Sequence, residues 1–245
     1  MKHLFILAGI FMATTVARAA DVVTFQSGPQ RVTMIELFSS EGCSSCPPAD
    51  DWLNALENKD GLWTKFVPIA WHVDYWDRLG WRDPWAQAAF TKRQYRYSSA
   101  WKSQSVYTPG FVLNGGEWRG WSSGKIPATK ENGGELRVVV TNAHDVAATF
   151  VPDRTMKTPL EIHIALLGVG LSSKVRAGEN EGRNLKHSFV VVSHTHAPLI
   201  SDGKAISARL TLPKINSNAP RLAIAAWVER ADTPGPWQAA GGWIK

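Results

Sequence analysis

The sequence has little cysteine and no long run of one charge. Cys43 and Cys46 are the only two cysteines among 245 residues, so no disulfide within the chain closes a long loop to stabilise the fold. Their close spacing makes them a poor structural crosslink and favours a chemical role. The net charge is +6 and no run of five Lys or Arg residues occurs, which argues against a nucleic-acid-binding protein.

Long apolar segments are also missing after the first twenty residues. A basic start and the apolar run 4–15 precede Ala17-Arg18-Ala19, the small-x-small pattern of a signal-peptidase site. About 20 apolar residues are needed to span a bilayer, so we interpret residues 1–19 as a cleaved signal peptide. We therefore expect a periplasmic or secreted protein with no integral membrane segment. Without Lys2 and Arg18 its net charge is +4.

The two cysteines lie at the corner of a predicted β-α-β unit. Residues 32–38 and 66–71 are apolar runs typical of buried strands, and the helical pattern between them begins near Ala49. Proline lacks a backbone donor and disfavours helical geometry in the residue before it. We therefore expect Cys46 to lie just outside the helix, which Pro47 or Pro48 opens.

The rest of the chain predicts two domains. Asp83-Pro84 is typical of a helix start, and Asn114-Gly115 after an apolar run indicates a hairpin. Residues 126–132 are predicted to be a linker between domains at 21–125 and 133–245. The second part contains seven short β-like runs, which favour an all-β sandwich. The runs are 136–141, 146–151, 160–167, 188–193, 205–212, 222–228 and 237–244.

A Cys-x-x-Cys pair supports either redox chemistry or half of a zinc site. A thiolate stabilised by its surroundings is a nucleophile, and a second cysteine resolves the mixed disulfide it forms. The motif follows a buried strand and precedes an amphipathic helix, and Thr108-Pro109 comes about sixty residues later. These three features favour the redox interpretation.

The chain resembles the thioredoxin superfamily in two segments. These are residues 42–46 and Val106-Tyr107-Thr108-Pro109-Gly110-Phe111-Val112-Leu113. The resemblance implies an α/β thioredoxin-like domain at 21–125, followed by the all-β sandwich-like domain. It implies that Cys43 is the exposed attacking thiol and Cys46 the buried resolving one. It also implies that Pro109 is a cis-proline packed against the pair. Gly42 departs from the pattern, because many members carry Trp there.

A closer resemblance covers nearly the whole chain after residue 19. The segments 36–50, 72–77 and 176–183, together with the Thr-Pro segment, are similar to one family. It consists of exported, mainly proteobacterial thioredoxin-like proteins carried as a domain of unknown function. The resemblance implies a fold and a compartment, and it leaves the substrate open.

The functional prediction is a thiol-disulfide oxidoreductase that acts on the thiols or disulfides of other proteins and needs no cofactor. Cys43, Cys46 and Pro109 are the predicted catalytic residues. Thr108, Gly42 and Trp76 are the predicted substrate-binding residues. The direction of electron flow and the upstream redox partner stay open.

Two other classes of function also stay open. In the first, Cys43, Cys46 and His72 bind copper or zinc. The alternative interpretation of His72 is that it caps the end of the strand by hydrogen bonds, together with Asp74. In the second, the protein is a scaffold whose sandwich binds a partner.

Two segments of the second part have alternative interpretations. His194 and His196 alternate on one strand face with His187 nearby, either as metal ligands or as surface residues. The loop at 179–183 either fastens the two parts together or contacts a partner.

Overall fold

The computed structural model describes residues 21–142, 144–203, 205–213 and 218–244. The predicted signal peptide, residues 1–19, lies outside them. The described residues contain two α-helices, α1 (Pro47–Ala55) and α2 (Ala88–Ala100). Short 3₁₀ turns lie at Leu56–Asn58, Asp77–Leu79 and Gly120–Ser123. The strands are β1 (Val22–Gln26), β2 (Thr33–Ser39), β3 (Phe66–His72), β4 (Gly110–Leu113), β5 (Gly116–Glu117), β6 (Glu135–Thr141), β7 (Asp145–Val151), β8 (Leu160–Val169), β9 (Leu171–Lys174), β10 (Asn184–His187), β11 (Val190–Pro198), β12 (Ile200–Asp202), β13 (Ala205–Thr211), β14 (Arg221–Arg230) and β15 (Pro236–Trp243).

The strands form three sheets. The largest has eight strands in the order β15-β14-β8-β11-β3-β2-β4-β5, and a second has five in the order β1-β6-β7-β13-β12. Strands β9 and β10 form a separate antiparallel pair. Within the large sheet β3 is parallel to both β2 and β11, and the other neighbours are antiparallel.

The predicted fold class, an α/β thioredoxin-like domain followed by an all-β sandwich-like domain, is wrong. The described chain is mostly β, with two α-helices, and its largest sheet contains strands from both ends of the sequence. The join is made by β3, which pairs with β2 on one side and with β11 on the other. Periodicity identified the strands, and it carries no information about which strands become neighbours. Residues 126–132 contain no helix or strand, and the domain limits drawn beside them stay predictions.

Strands β8 and β14 separate two hydrophobic cores. Alternate residues of β14, such as Ala223 and Ala225, pack in one core with Met34 and Ile35 of β2. The residues between them, such as Ile224, pack in the other core against the five-stranded sheet. Because both faces of these strands are buried, their sequences are continuous runs of apolar residues.

The predictions of individual elements agree with the structure better than the predicted fold class does. Each of the seven predicted β-like runs overlaps a strand, whereas β1, β9, β10 and β12 were not predicted. The hairpin is confirmed, since Asn114 and Gly115 join β4 to β5 with φ of 49° and 91°. The helix start at Asp83-Pro84 is wrong, because α2 begins only at Ala88. The Asp83 carboxylate instead accepts a hydrogen bond from the Trp85 N–H and contacts His72.

A buried ionic network crosses the large sheet. Arg93 of α2 lies 2.6 Å from the carboxylate of Glu36 in β2 and 3.2 Å from that of Glu229 in β14. His163 Nε2 lies 3.3 Å from Glu229, and His163 Nδ1 lies 3.1 Å from Nε2 of His194. The network joins residues almost 200 positions apart in the sequence.

Candidate functional site

Cys43 and Cys46 lie where two parallel strands end and a helix begins. Strands β2 and β3 pair Ser39 with His72, so the segments that follow both strands meet at one edge of the sheet. Cys46 directly precedes α1, and Pro47-Pro48 forms its first two positions. The prediction that Cys46 lies just outside the helix is confirmed, but its backbone is helical, with φ of −77° and ψ of −36°, so Pro47 does not push it out of that region. A proline at the first helical position costs no hydrogen bond, because that N–H has no partner within the helix anyway.

The two cysteines form a disulfide, with their Cα atoms 5.4 Å apart. Both side chains are fully buried, so the expectation that Cys43 is exposed is not met. Only the intervening Ser44 and Ser45 reach solvent, and the Ser45 hydroxyl lies 3.3 Å from the Cys43 sulfur. An external thiol therefore reaches the disulfide only after neighbouring segments move.

The Thr108–Pro109 peptide bond lies at the same edge of the sheet and is cis, as predicted. Gly110, the next residue, pairs with Phe38 of β2, which places Pro109 beside the segment that leads to Cys43. The indole N–H of Trp76 donates a hydrogen bond to the Thr108 hydroxyl at 2.8 Å. This bond links the chain after β3 to the chain before β4.

Trp76 also packs against Gly42. A Cβ at position 42 would lie 2.9 Å from the Cβ of Trp76, closer than real Cβ contacts. The glycine that departs from the superfamily pattern is therefore explained by a tryptophan that arrives from another segment. Gly42, Trp76 and Thr108 are brought together, and their part in substrate binding stays a prediction.

Residues 176–183 lie across the cysteine segment. The buried side-chain amide of Asn180 donates to the backbone carbonyls of Glu41 and Cys43, at 2.8 and 2.9 Å. The Glu179 carboxylate accepts a hydrogen bond from the Ser44 N–H at 3.0 Å. The loop thus fastens a distant part of the chain to the backbone of the cysteine segment, as the first of its two interpretations expects, and a contact of the loop with a partner stays a prediction.

Five buried ionisable side chains lie next to the cysteine segment: Glu41, Asp50, His72, Asp83 and His187. They form two carboxylate–imidazole pairs. The Nδ1 of His72 lies 2.7 Å from the Asp83 carboxylate, and the Nε2 of His187 lies 3.1 Å from the Glu41 carboxylate. The two imidazole rings are 5.0 Å apart between centroids. The fifth group, Asp50, lies in the first turn of α1, one helical turn after Cys46.

Burial and charge act against each other in this group. Burial lowers the pKa of His72, but the carboxylates of Asp83, Asp50 and Glu41 outweigh it and raise the pKa to about 9. Burial raises the pKa of Asp50, against the influence of His187 and His72. Burial would also raise the pKa of Asp83, yet His72 holds that pKa below its ordinary value. The set has more carboxylate than imidazole groups and favours an added positive charge.

The sequence interpretation placed only part of this site. His72 faces Asp83, Asp50 and His187, and neither sulfur belongs to a group of three potential metal ligands in the described chain. Glu41 and Asp50 belong to segment 36–50, which resembles the family, but the sequence interpretation assigned neither residue a role. His187 had been grouped with His194 and His196, although those two lie with His163. No spacing signal connects positions 50, 72 and 187, because only the fold brings them together.

An aromatic groove of about 310 Å³ lies beside the cis-proline. Its walls come from Tyr107, Pro109, Phe111, Trp118 and Trp121, with Arg119 at its edge. Trp118 and Trp121 follow β5, which ends at Glu117, and they pack against Trp52 on the side away from solvent.

Neither helix of the described residues is long and apolar enough to cross a membrane.

Comparison with known proteins identifies a family and a fold. No curated protein matches the chain. The crystal structure of protein AGR_C_4864 from Agrobacterium tumefaciens is similar over 87% of this chain and 95% of its own, with 22% identity and a TM-score of 0.59. HBP35 of Porphyromonas gingivalis is similar over 88% of this chain and 76% of its own, with 13% identity and a TM-score of 0.57. At these identities the two structures support the fold alone.

The model of a family described as "Protein of unknown function (DUF1223)" matches residues 34–229, and the chain belongs to that family. This confirms the expectation of a family carried as a domain of unknown function.

Proposed function

We propose that this DUF1223 protein is a thiol-disulfide oxidoreductase that exchanges its Cys43–Cys46 disulfide with thiols of other proteins. One observation carries the proposal: the chain's two cysteines are paired at a strand-to-helix corner beside the cis Thr108–Pro109 segment. A disulfide between residues this close in sequence restricts the unfolded chain little. Exchange chemistry therefore accounts for the pair better than stabilisation does.

The exchange proceeds through a mixed disulfide. A substrate thiolate attacks one sulfur of the Cys43–Cys46 bond, and the other cysteine leaves as a thiolate. A second substrate thiolate then attacks the mixed disulfide, so the substrate departs with a new disulfide and the protein holds two thiols. Starting from the reduced protein, the steps run in reverse. Cys43 attacks a substrate disulfide, and Cys46 displaces the reduced substrate.

The groove beside Pro109 supports docking of a polypeptide. Its aromatic side chains offer apolar contact to an extended segment, and aromatic rings give much contact area per residue. Pro109 lines this groove, and the next residue, Gly110, pairs with Phe38 of the strand that leads to the cysteine segment. Trp76 is hydrogen-bonded to Thr108 and packed against Gly42, so it must be displaced before a bound backbone can lie alongside the disulfide.

The covered disulfide makes exchange depend on local opening. Trp76 and the 176–183 loop hold the cysteine segment by hydrogen bonds and packing rather than covalently. Segments held in this way open more readily than the whole protein unfolds. We propose that a docking substrate displaces this cover.

We further propose that the kinship with the thioredoxin superfamily lies in the redox segment and the cis-proline. We also propose that the protein works in the periplasm or outside the cell. A disulfide persists there, whereas cytosolic thiols are kept reduced. The interpretation of residues 1–19 as an export signal supports the same compartment.

The test is equilibration of the purified protein in glutathione buffers, followed by alkylation and mass measurement of the thiols. We expect a reversible dithiol-disulfide couple and stoichiometric oxidation of a reduced model protein. Cys46→Ala should accumulate a mixed disulfide through Cys43, and Cys43→Ala should not. The double variant Cys43→Ala/Cys46→Ala sets the background. The proposal fails if the wild type oxidises the model protein no faster than this double variant.

A further inference from the structure

Three metal-ligand side chains converge beside the cysteine segment. Asp50, His72 and His187 each offer one ligand atom, and these atoms all lie within 4.8 Å of one another. The residues are only 5%, 0% and 2% exposed. They come from helix α1, the end of β3 and the end of β10, so three separate elements hold them in place.

The other nitrogen of each imidazole is already held by a carboxylate. His72 Nδ1 lies 2.7 Å from Asp83, and His187 Nε2 lies 3.1 Å from Glu41. Metal-binding histidines almost always donate their second nitrogen to a carboxylate, a carbonyl or water, which fixes the tautomer and aims the first nitrogen at the metal. Asp50 is oriented as well, by the Ser39 hydroxyl at 3.0 Å.

The two inward nitrogens are unpaired. His72 Nε2 and His187 Nδ1 are buried and have no hydrogen-bond partner among the described residues. The distance from His187 Nδ1 to the Asp50 carboxylate is 3.9 Å, too long for a hydrogen bond. Buried polar atoms are normally paired. Two buried, unpaired imidazole nitrogens in one group with the Asp50 carboxylate therefore point to an occupant.

We propose that Asp50, His72 and His187 form a binding site for a divalent transition metal ion of the Zn²⁺ type. Two imidazoles and one carboxylate are ligands that zinc and iron accept, and three protein ligands leave a coordination position open. Glu41 and Asp83 form the outer shell that orients both imidazoles. This site uses neither sulfur and is therefore distinct from a cysteine-based metal site.

The second histidine cluster of the described chain is a weaker candidate for a metal site. Glu161, His163 and His196 also lie within reach of one another, but the His196 side chain is 55% exposed. His163 Nδ1 already lies 3.1 Å from His194. That cluster lacks the enclosure, and both nitrogens of His163 already have close neighbours, since Nε2 lies 3.3 Å from the Glu229 carboxylate.

The metal site is independent of the proposed redox function. The test therefore uses the full-length oxidised protein with its disulfide intact, freed of metal by a chelator and then titrated with Zn²⁺ in a calorimeter. We expect one Zn²⁺ per chain. Zinc X-ray absorption of the wild type should show nitrogen and oxygen neighbours at about 2.0–2.2 Å and no sulfur at about 2.3 Å.

Conservative variants assign the site. His72→Gln, His187→Gln and Asp50→Asn should each abolish stoichiometric Zn²⁺ binding, and Asp83→Asn should weaken it about 10–100-fold. His163→Gln, a change at the other histidine cluster, should bind as the wild type does. Circular dichroism checks that each variant is folded.

The proposal is overturned if the oxidised wild type binds no stoichiometric Zn²⁺, in which case a proton on His72 is the occupant. It is overturned as well if sulfur appears in the zinc shell, or if His163→Gln alone removes binding. Thiol exchange measured on the same samples keeps the two proposals apart, because failure of one leaves the other standing.

Discussion

At the scale of single residues, Gly42 shows how close packing determines an amino acid. The position needs no unusual backbone angle, since its φ lies outside the left-handed region. What excludes a side chain is the neighbouring Trp76, whose Cβ would be 2.9 Å from a new Cβ. Glycine and tryptophan are therefore matched across two segments that are far apart in the sequence.

Gly42→Ala should destabilise the protein by about 1–3 kcal/mol, the usual cost of overpacking a filled site. Urea denaturation followed by far-UV circular dichroism measures the change in the free energy of unfolding. Gly28→Ala is the matched control, because nothing lies within 4 Å of a Cβ there, and it should be neutral within about 0.5 kcal/mol. Equal stability of both variants would refute the packing argument.

At the scale of elements, the 176–183 loop holds the cysteine segment in place. Asn180 donates to the carbonyls of Glu41 and Cys43 with a single amide, and all three residues are buried. The Cys43 carbonyl also accepts a hydrogen bond from the Cys46 N–H at 3.2 Å, so the Glu41 carbonyl is the one that depends on Asn180. A buried carbonyl left without a partner costs about 1–3 kcal/mol. We therefore expect the loop to limit how readily the disulfide is uncovered.

Asn180→Ala should lower the free energy of unfolding by about 1–3 kcal/mol and speed reduction of the disulfide by dithiothreitol. Because reduction requires opening, we expect about a tenfold rate increase for each 1.36 kcal/mol removed from the opening step. Glu181→Ala, an exposed change in the same loop, is the control and should react as the wild type does. Identical reduction rates for the two variants would show that the loop does not limit access.

At the scale of the whole molecule, one sheet and one buried network join both ends of the chain. Burial lowers the pKa of His194 to about 3, with Arg93 and His196 acting in the same direction. Burial also lowers the pKa of His163, which Glu229 only partly offsets. Both rings stay neutral in the folded protein at a pH where the unfolded chain, with an ordinary pKa of about 6.5, takes up protons.

Stability should therefore fall as the pH falls below about 6.5, by up to about 1.4 kcal/mol per pH unit for each such histidine. His194→Gln removes one of the two groups and should reduce the slope between about pH 5 and 6 by that amount. The measurement is the free energy of unfolding in urea across this range. Groups distant from this network contribute equally to both proteins, so the difference in slope reports His194 together with its effect on the neighbouring His163. An unchanged slope would contradict the argument.

The sequence by itself determined the local features around the cysteines. The strands at 32–38 and 66–71, the helix that opens at Pro47 and the Asn114-Gly115 hairpin depend on residues close together in the chain. Propensity, periodicity and the chemistry of proline and glycine suffice for such features. The motifs that indicated a family carried as a domain of unknown function were likewise read directly from consecutive residues.

Only the tertiary structure decided how these features combine. We expected two separate domains, but β3 pairs with β11 and the strands form one large sheet. The residue pattern of a strand does not predict which strand lies beside it. Asn180 holds the Cys43 carbonyl and Trp76 packs against the neighbouring Gly42, and the proposed ligand set of Asp50, His72 and His187 spans more than 130 positions. Each of these facts depends on contacts between distant residues, which form only when the whole core packs.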